Sequence, residues 1–244
     1  MFLNFRYYYR MKRHFWIHRI KFFLLTIFAF LYIVWPHSTL SQEYNSTLPT
    51  PSEKMILAEL PSWARMVDIR SINRNIRLDM RYATTNNFLN KKVYPVAKCA
   101  LRAEVAENLS KVQQELETMG LGLKVYDCYR PLSVQRQMWA IMPDSRYVAN
   151  PAKGSRHNRG SAVDVTLVDR YGKELEMPSE FDDFSERAYR DYQGSSAEAQ
   201  RHIKLLEEVM QKHGFTSIIT EWWHFDAVGW QKFSILDISF RVIP

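Results

Sequence analysis

The most informative stretch of the sequence reads Gly154-Ser155-Arg156-His157-Asn158-Arg159-Gly160-Ser161-Ala162-Val163-Asp164. His157 and Asp164 stand seven residues apart, and Gly160 permits a turn between them. Asp164 falls near the start of an apolar run, 162–168, that predicts a strand. Burying an unpaired carboxylate is costly, and coordination of a metal is one remedy. The stretch therefore predicts a metal site at the start of a strand.

A second segment, Glu221-Trp222-Trp223-His224, places another histidine three residues after a carboxylate. Together, His157, Asp164 and His224 make a three-ligand set with one position left open, which is typical of catalytic zinc. Glu221 then has the chemistry of a general base toward a water molecule. On spacing alone, the alternative stays open that these histidines are hydrogen-bonded structural residues.

The flanking sequence mixes helical and extended patterns without regular alternation. Apolar spacing predicts long helices over 101–119 and 197–213, the second capped by Ser196, and a shorter helix over 133–142. The predicted strands are 75–82, 123–128, 162–168 and 215–220, the last leading into 221–225. This mixture predicts a single α+β domain, with an antiparallel-type central sheet, helices packed on it and the zinc site at the sheet.

The exact residues of the two segments resemble the D-alanyl-D-alanine dipeptidases, within a wider family of zinc D,D-peptidases. The shared pattern is Ser155-x-His157-x-x-Gly160-x-Ala162-x-Asp164 with Glu221-x-Trp223-His224. Other parts of the chain are similar to family segments in the same order. These are Arg77–Thr84 with Asn87-Phe88, Tyr126–Pro131, and Phe181-Asp182 with Ser185–Arg187.

The resemblance assigns catalytic roles position by position. It implies that His157, Asp164 and His224 hold one zinc ion, and that Glu221 is the catalytic base. Arg130 matches an arginine that stabilises the oxyanion of the reaction. The implied activity is hydrolysis of the dipeptide D-Ala-D-Ala to D-alanine.

The resemblance also implies substrate contacts. Ser155, Tyr82 and Asp182 match positions that touch the dipeptide, with Asp182 near its free amino group. Asp183 stands beside Asp182 and competes for that role.

Two rival functions are compatible with this layout. A D,D-carboxypeptidase that trims peptidoglycan stem peptides would share the zinc chemistry but would need an open cleft. A non-enzymatic cell-wall-binding module would share the fold, yet it would have no need of Glu221 or Arg130.

The charge of the chain is concentrated at its start. The formal net charge is +7, but residues 1–41 carry six basic side chains and no acidic one, which leaves +1 for the remainder. A nucleic-acid-binding domain needs a basic footprint in its folded part, so nucleic acid is not expected as a partner. The oligomeric state stays open.

Residues 1–41 have the pattern of an export signal. A basic segment ends at Lys21 and is followed by the uncharged apolar run Phe22–Trp35. As a helix, this run would span about 21 Å, less than the roughly 30 Å of a membrane core. We therefore expect a signal peptide or, alternatively, an N-terminal anchor. Residues 42–60 are predicted to be a linker and 61–244 the catalytic domain.

Cys99 and Cys128 are the two cysteines of the sequence. We expect export to the periplasm, and an oxidising compartment would allow the two cysteines to form a disulfide. Two buried free thiols are the alternative. Neither cysteine has a second cysteine or a histidine at ligand spacing, which argues against a zinc site built from them.

Overall fold

A five-stranded sheet lies at the centre of residues 50–244, the part of the chain that the computed structural model describes. The strands are β1 Met66–Asp68, β2 Arg77–Leu78, β3 Ala100–Arg102, β4 Leu121–Asp127, β5 Ala162–Asp169, β6 Phe215–Ile218 and β7 Glu221–Ala227. The central sheet has the order β2-β4-β5-β7-β6, and β1 pairs with β3 in a separate antiparallel ribbon. Apart from the parallel pair β2–β4, its neighbouring strands are antiparallel, which confirms the predicted sheet type.

Two long helices pack together against this sheet. The helices are α1 Pro51–Glu59, α2 Ile69–Ile72, α3 Ala103–Thr118, α4 Leu132–Ile141 and α5 Ala197–Lys212. Glu115 of α3 accepts hydrogen bonds from Lys212 and His213 at the end of α5, at 2.9 and 2.7 Å. The predicted α+β architecture, with helices packed on the sheet, is confirmed.

Strand β5 is the central strand that positions the site. Seven of its eight residues are buried, which explains the apolar run seen in the sequence. Asp164 is paired with Asp127 of β4 on one side and with His224 of β7 on the other. The register of β4 shifts between Val125 and Asp127, an irregularity of the kind often found beside functional sites.

The predictions for the long helices are confirmed, including the cap. The Oγ of Ser196 accepts a hydrogen bond from the backbone N–H of Ala199 at 3.0 Å. Such a cap satisfies one of the unpaired N–H groups at the start of α5.

Two strand predictions differ from the structure. Of 75–82, only Arg77–Leu78 forms a strand, because the chain then turns through a 3₁₀ helix at Arg81–Ala83 that buries Tyr82. The predicted strand 215–220 is observed as β6, but the segment 221–225 that follows it belongs to β7, which folds back on β6 as a hairpin.

The predicted linker is partly helical. Thr50 and Glu53 form a reciprocal capping box at the start of α1. Glu53 also accepts a hydrogen bond from the backbone N–H of Ser239 at 2.8 Å, which ties this helix to the domain. Residues 51–59 of the predicted linker are therefore helical. The predicted leader, 1–41, and the first part of the linker lie outside the described residues.

Between residues 50 and 244, no helix has the length and apolar character needed to cross a membrane.

Candidate active site

Three buried side chains converge where β5 meets β7. The Nε2 of His157 lies 3.2 Å from the Nδ1 of His224 and 3.4 Å from the Oδ1 of Asp164. The third side of the triangle, from His224 Nδ1 to Asp164 Oδ1, is 3.0 Å. The predicted ligand set is therefore brought together in space.

The local structure explains why these three residues meet. Asp164 and His224 are directly opposite each other on neighbouring strands, so their side chains share one face of the sheet. His157 comes from a 3₁₀ turn, His157–Arg159, just before β5. Gly160 ends this turn with a φ of 66°, a left-handed conformation that favours glycine.

Hydrogen bonds on the outer side of each imidazole fix the orientation of both rings. The Nδ1 of His157 donates to the carbonyl oxygen of Cys128 at 2.7 Å, and the Nε2 of His224 donates to Asp226 at 2.9 Å. The remaining nitrogen of each neutral ring then directs its lone pair into the triangle. Histidine ligands of metals are held by partners of this kind.

The donor set fits a tetrahedral metal ion. Ligand bonds near 2.0–2.1 Å place tetrahedral donor atoms about 3.3 Å apart, close to the sides of this triangle. Burial opposes a charged His224, but hydrogen bonds to Asp164 and Asp226 raise its pKa to about 10. The surroundings thus favour positive charge at this point, whether of a proton or of a metal cation.

Glu221 stands at the start of β7, beside the triangle. Its Oε2 lies 3.8 Å from the Nδ1 of His224, and its side chain is 29% exposed. Removal from solvent raises the pKa of this carboxyl above its ordinary value. A carboxylate with a raised pKa, next to a metal position, can accept and return a proton.

Two hydrogen bonds hold the guanidinium of Arg130 in place. Its Nη2 donates to Asp127 at 2.7 Å, and its Nη1 donates to Gln135 at 2.9 Å. Burial alone would lower the pKa of Arg130, but the charge of Asp127 raises it well above its usual value. The Nε of Arg130 is buried and has no hydrogen-bond partner among the described residues. The side chain of Arg130 lines the same cavity as the triangle.

Tyr82 and Asp182 form a second polar pair in that cavity. The hydroxyl of Tyr82 lies 3.2 and 3.1 Å from the two carboxylate oxygens of Asp182. Asp182 has a φ of 62°, rare for a residue other than glycine. Burial, together with the nearby charge of Asp164, raises the pKa of Asp182 well above its usual value. Asp183, by contrast, pairs with Arg187 at 2.7 Å and does not line the cavity.

Ser155 lies at another wall of the cavity. Its Oγ accepts a hydrogen bond from the backbone N–H of His157 at 3.2 Å, and its own N–H donates to Asn158 at 2.7 Å. Asn158 in turn donates to the carbonyl oxygen of Arg130 at 2.8 Å. The loop that carries Ser155 is thereby tied to both the triangle and the arginine.

A single cavity of about 230 Å³ unites the predicted metal, catalytic and substrate residues. These are Tyr82, Arg130, Ser155, His157, Asp164, Asp182, Glu221 and His224. Cys99 and Cys128 lie outside this lining and are joined by a disulfide.

Three residues of the site were not identified from the sequence: Asp127, Gln135 and Asp226. Asp127 and Gln135 hold Arg130, and Asp226 holds His224. The one available signal was the spacing of His224 and Asp226, since residues two apart on a strand share a face.

The sequence is similar to known D-alanyl-D-alanine dipeptidases. The chain is 36% identical over 175 residues to the D-alanyl-D-alanine dipeptidase of Escherichia coli (strain K12), covering 72% of this chain and 91% of that protein. It is 33% identical over 176 residues to the D-alanyl-D-alanine dipeptidase of Enterococcus faecium, covering 63% of this chain and 87% of that protein.

A solved structure of a vancomycin-resistance D,D-pentapeptidase in complex with Zn(II) is 17% identical, with a TM-score of 0.35, over 55% of this chain and 75% of that one. The model of the D-ala-D-ala dipeptidase family matches residues 62–237, which include every residue of the cavity described above. The chain therefore belongs to the D-Ala-D-Ala dipeptidase family of metallopeptidases.

Proposed function

We propose that this protein hydrolyses the dipeptide D-Ala-D-Ala to two molecules of D-alanine, with one zinc ion held by His157, Asp164 and His224. The observation that carries the proposal is the buried triangle of donor atoms, with sides of 3.0–3.4 Å and Glu221 beside it. Membership of the family and the names of the two relatives support the same substrate.

Zinc is the metal that this donor set favours. Two imidazole nitrogens and one carboxylate oxygen, with a fourth position open, are a standard catalytic zinc arrangement. Harder cations such as Mg²⁺ and Ca²⁺ prefer sites made of oxygen atoms. When bound, the ion supplies a water of lowered pKa and polarises the carbonyl of the scissile bond.

Glu221 moves the proton in this mechanism. Its carboxylate takes a proton from the attacking water as the new C–O bond forms. It then delivers that proton to the leaving nitrogen as the C–N bond breaks. Groups in this role contribute typically 10²–10⁴-fold to the rate.

Arg130 stabilises the negative charge that develops on the carbonyl oxygen. Asp127 and Gln135 hold its guanidinium at the wall of the cavity, so that the group need not reorganise during the reaction. Preorganised donors of this kind are among the largest contributors to catalysis.

The cavity also suits a short zwitterion. Asp182, with the hydroxyl of Tyr82, offers a carboxylate to the substrate ammonium at one wall. Ser155 and Arg156 offer a hydroxyl and a guanidinium to the substrate carboxylate at another. Aromatic side chains close the wall around Asp182, where Tyr82 packs against Phe88 and Phe181. This closure favours a dipeptide over a stem peptide that would extend beyond its amino end.

The experiment incubates the purified, zinc-loaded protein with D-Ala-D-Ala and measures released D-alanine, with a D-Ala-terminated pentapeptide in parallel. Release from the dipeptide alone is the expected result. Release from the pentapeptide alone would make the protein a D,D-carboxypeptidase and would withdraw the roles of Asp182 and Tyr82. If neither peptide released D-alanine although zinc was bound, the protein would be interpreted as a non-enzymatic cell-wall-binding module.

Export to the periplasm is also part of the proposal. It is supported by the basic and apolar pattern of residues 1–41 and by the disulfide between Cys99 and Cys128, because disulfides persist in oxidising compartments. Fractionation of cells, followed by mass determination of the protein, tests both the compartment and the removal of the leader. Recovery in the cytoplasmic fraction with reduced cysteines would contradict export.

A further inference from the structure

A second cavity, of about 490 Å³, adjoins the active-site cavity. The two share the lining residues Ser145, Ala149, Ser155 and Arg156. Asp182 and Tyr82, which are proposed to receive the amino end of the dipeptide, do not line the second cavity. It therefore continues from the wall where the substrate carboxylate is proposed to lie.

Positive charge dominates this second cavity. Lys153, Arg156 and Arg159 line it, and no carboxylate is among its lining residues. The Nε of Arg156 lies 3.4 Å from Asp226, and Arg159 donates to the carbonyl oxygen of Phe233. The ammonium of Lys153 has neither an ion pair nor a hydrogen bond within residues 50–244. The cavity thus has an uncompensated cation available for a ligand.

Trp139 and Trp230 also line the second cavity, and Trp230 contacts the guanidinium groups of Arg156 and Arg159. The guanidinium carbons of Arg156 and Arg159 lie 4.8 and 5.4 Å from the ring centroid of Trp230. Trp139 also lines the cavity and is partly buried. Stacking on an aromatic ring restrains a guanidinium and leaves its N–H groups free for planar acceptors such as carboxylates.

We propose that this cavity receives the side chain of the substrate's C-terminal residue and selects an acidic one. The inference rests on the proposed dipeptidase function and names a further substrate class, D-Ala-D-Glu and its close analogues. Hydrolysis of D-Ala-D-Glu breaks the same C–N bond with one water and yields D-alanine and D-glutamate. In D-Ala-D-Ala, the methyl group of the C-terminal residue would leave the second cavity empty. In D-Ala-D-Glu, the glutamate side chain would extend from the shared wall toward Lys153.

The test compares kcat/KM for D-Ala-D-Ala, D-Ala-D-Glu and D-Ala-D-Gln, the last being a neutral molecule of nearly the same shape as the acidic dipeptide. The wild-type protein should prefer D-Ala-D-Glu over D-Ala-D-Gln by about tenfold or more, as one charge-assisted contact implies. The variant Lys153→Glu should lose that preference and keep its activity on D-Ala-D-Ala. Because Lys153 is exposed, the substitution should not affect folding.

The control variant is Lys204→Glu, which makes the same charge change on the exposed face of α5, away from both cavities. This control substitution should leave kcat/KM unchanged for all three dipeptides. Equal rates on D-Ala-D-Glu and D-Ala-D-Gln in the wild type, or the same preference in Lys153→Glu as in the wild type, would overturn the acidic subsite while leaving the dipeptidase function intact. A protein inactive on D-Ala-D-Ala as well would overturn the proposed function, and the subsite with it.

Discussion

Glu221 is the residue whose replacement should separate proton transfer from metal binding. It lies beside the triangle without being one of its three donors, so Glu221→Gln keeps the ligand set and removes the base. We expect kcat for D-Ala-D-Ala to fall by about 10²–10⁴-fold. Metal analysis should still find one zinc per chain. A variant with zinc bound and nearly unchanged kcat would show that another group carries the proton.

We expect Asp226 to act on the proposed metal site indirectly, through its hydrogen bond with His224. Without its carboxylate, the Nε2 of His224 loses its acceptor and the ring loses its fixed orientation. We expect Asp226→Ala to weaken zinc binding by about 10–100-fold, as losses of such outer partners typically do. Competition with a chromophoric chelator measures this affinity. Asp191→Ala, at an exposed carboxylate, is the matched control, and equal zinc affinity in both variants would remove Asp226 from the site.

Some site residues could be predicted from the sequence because they lie in recognisable motifs, and others could not. His157, Asp164 and Glu221 stand in compact segments whose spacing and chemistry are visible in the sequence alone. Asp127 and Gln135 matter only through the guanidinium they hold, and nothing in their own neighbourhood indicates that contact. A partner of a catalytic residue becomes visible only when the fold has brought the two together.

Among the elements, periodicity predicted the long helices well and the short strands poorly. An amphipathic helix such as α5 repeats its apolar face over 16 residues, so the pattern is strong. The segment 75–82 alternates convincingly, but Tyr82 is drawn into an aromatic cluster with Tyr94 and Phe181, and the backbone turns to permit this. The hairpin of β6 and β7 was not predicted, because the two residues between its strands, Ile219 and Thr220, are not typical turn residues such as Gly, Pro, Asn or Asp.

The disulfide joins Cys99, just before β3, to Cys128, just after β4, beside the residues of the site. The carbonyl of Cys128 accepts from His157, and the N–H of Cys128 donates to Asp127, the partner of Arg130. One backbone position therefore supports the proposed metal ligand His157 and the proposed oxyanion residue Arg130 together. We expect the disulfide to fix both, beyond its general effect on stability.

The double variant Cys99→Ser with Cys128→Ser tests this. Opening a cross-link between residues 29 apart should cost about 3–4 kcal/mol of unfolding free energy. In a domain of this size, that corresponds to a Tm about 10 °C lower. Zinc affinity should fall as well. The control is Leu206→Ala, which opens a cavity under α5, lowers the Tm by a comparable amount and should leave zinc affinity unchanged. Unchanged affinity in both would make the disulfide a purely general stabiliser.

The central sheet of the domain has the candidate active site at its middle. The cross-strand row Asp127, Asp164 and His224 runs across β4, β5 and β7, the three central strands of the sheet. All three side chains are buried, so the sheet contains several ionisable groups at its centre. Buried charges are costly unless they are paired or coordinate a metal. The stability of the domain should therefore depend on the occupancy of the site.

Removal of the metal should lower the thermal stability of the whole domain, because a ligand that binds only the folded state stabilises it by mass action. At a free zinc concentration about 1,000 times Kd, the expected gain is about 4 kcal/mol. For a domain of this size, that is a rise in Tm of roughly 8–16 °C over the chelator-treated protein. Calorimetry with and without zinc measures the shift, and Mg²⁺ at the same concentration should not reproduce it, since the site has two nitrogen donors. A Tm indifferent to zinc would mean that the triangle is held together by its hydrogen bonds alone.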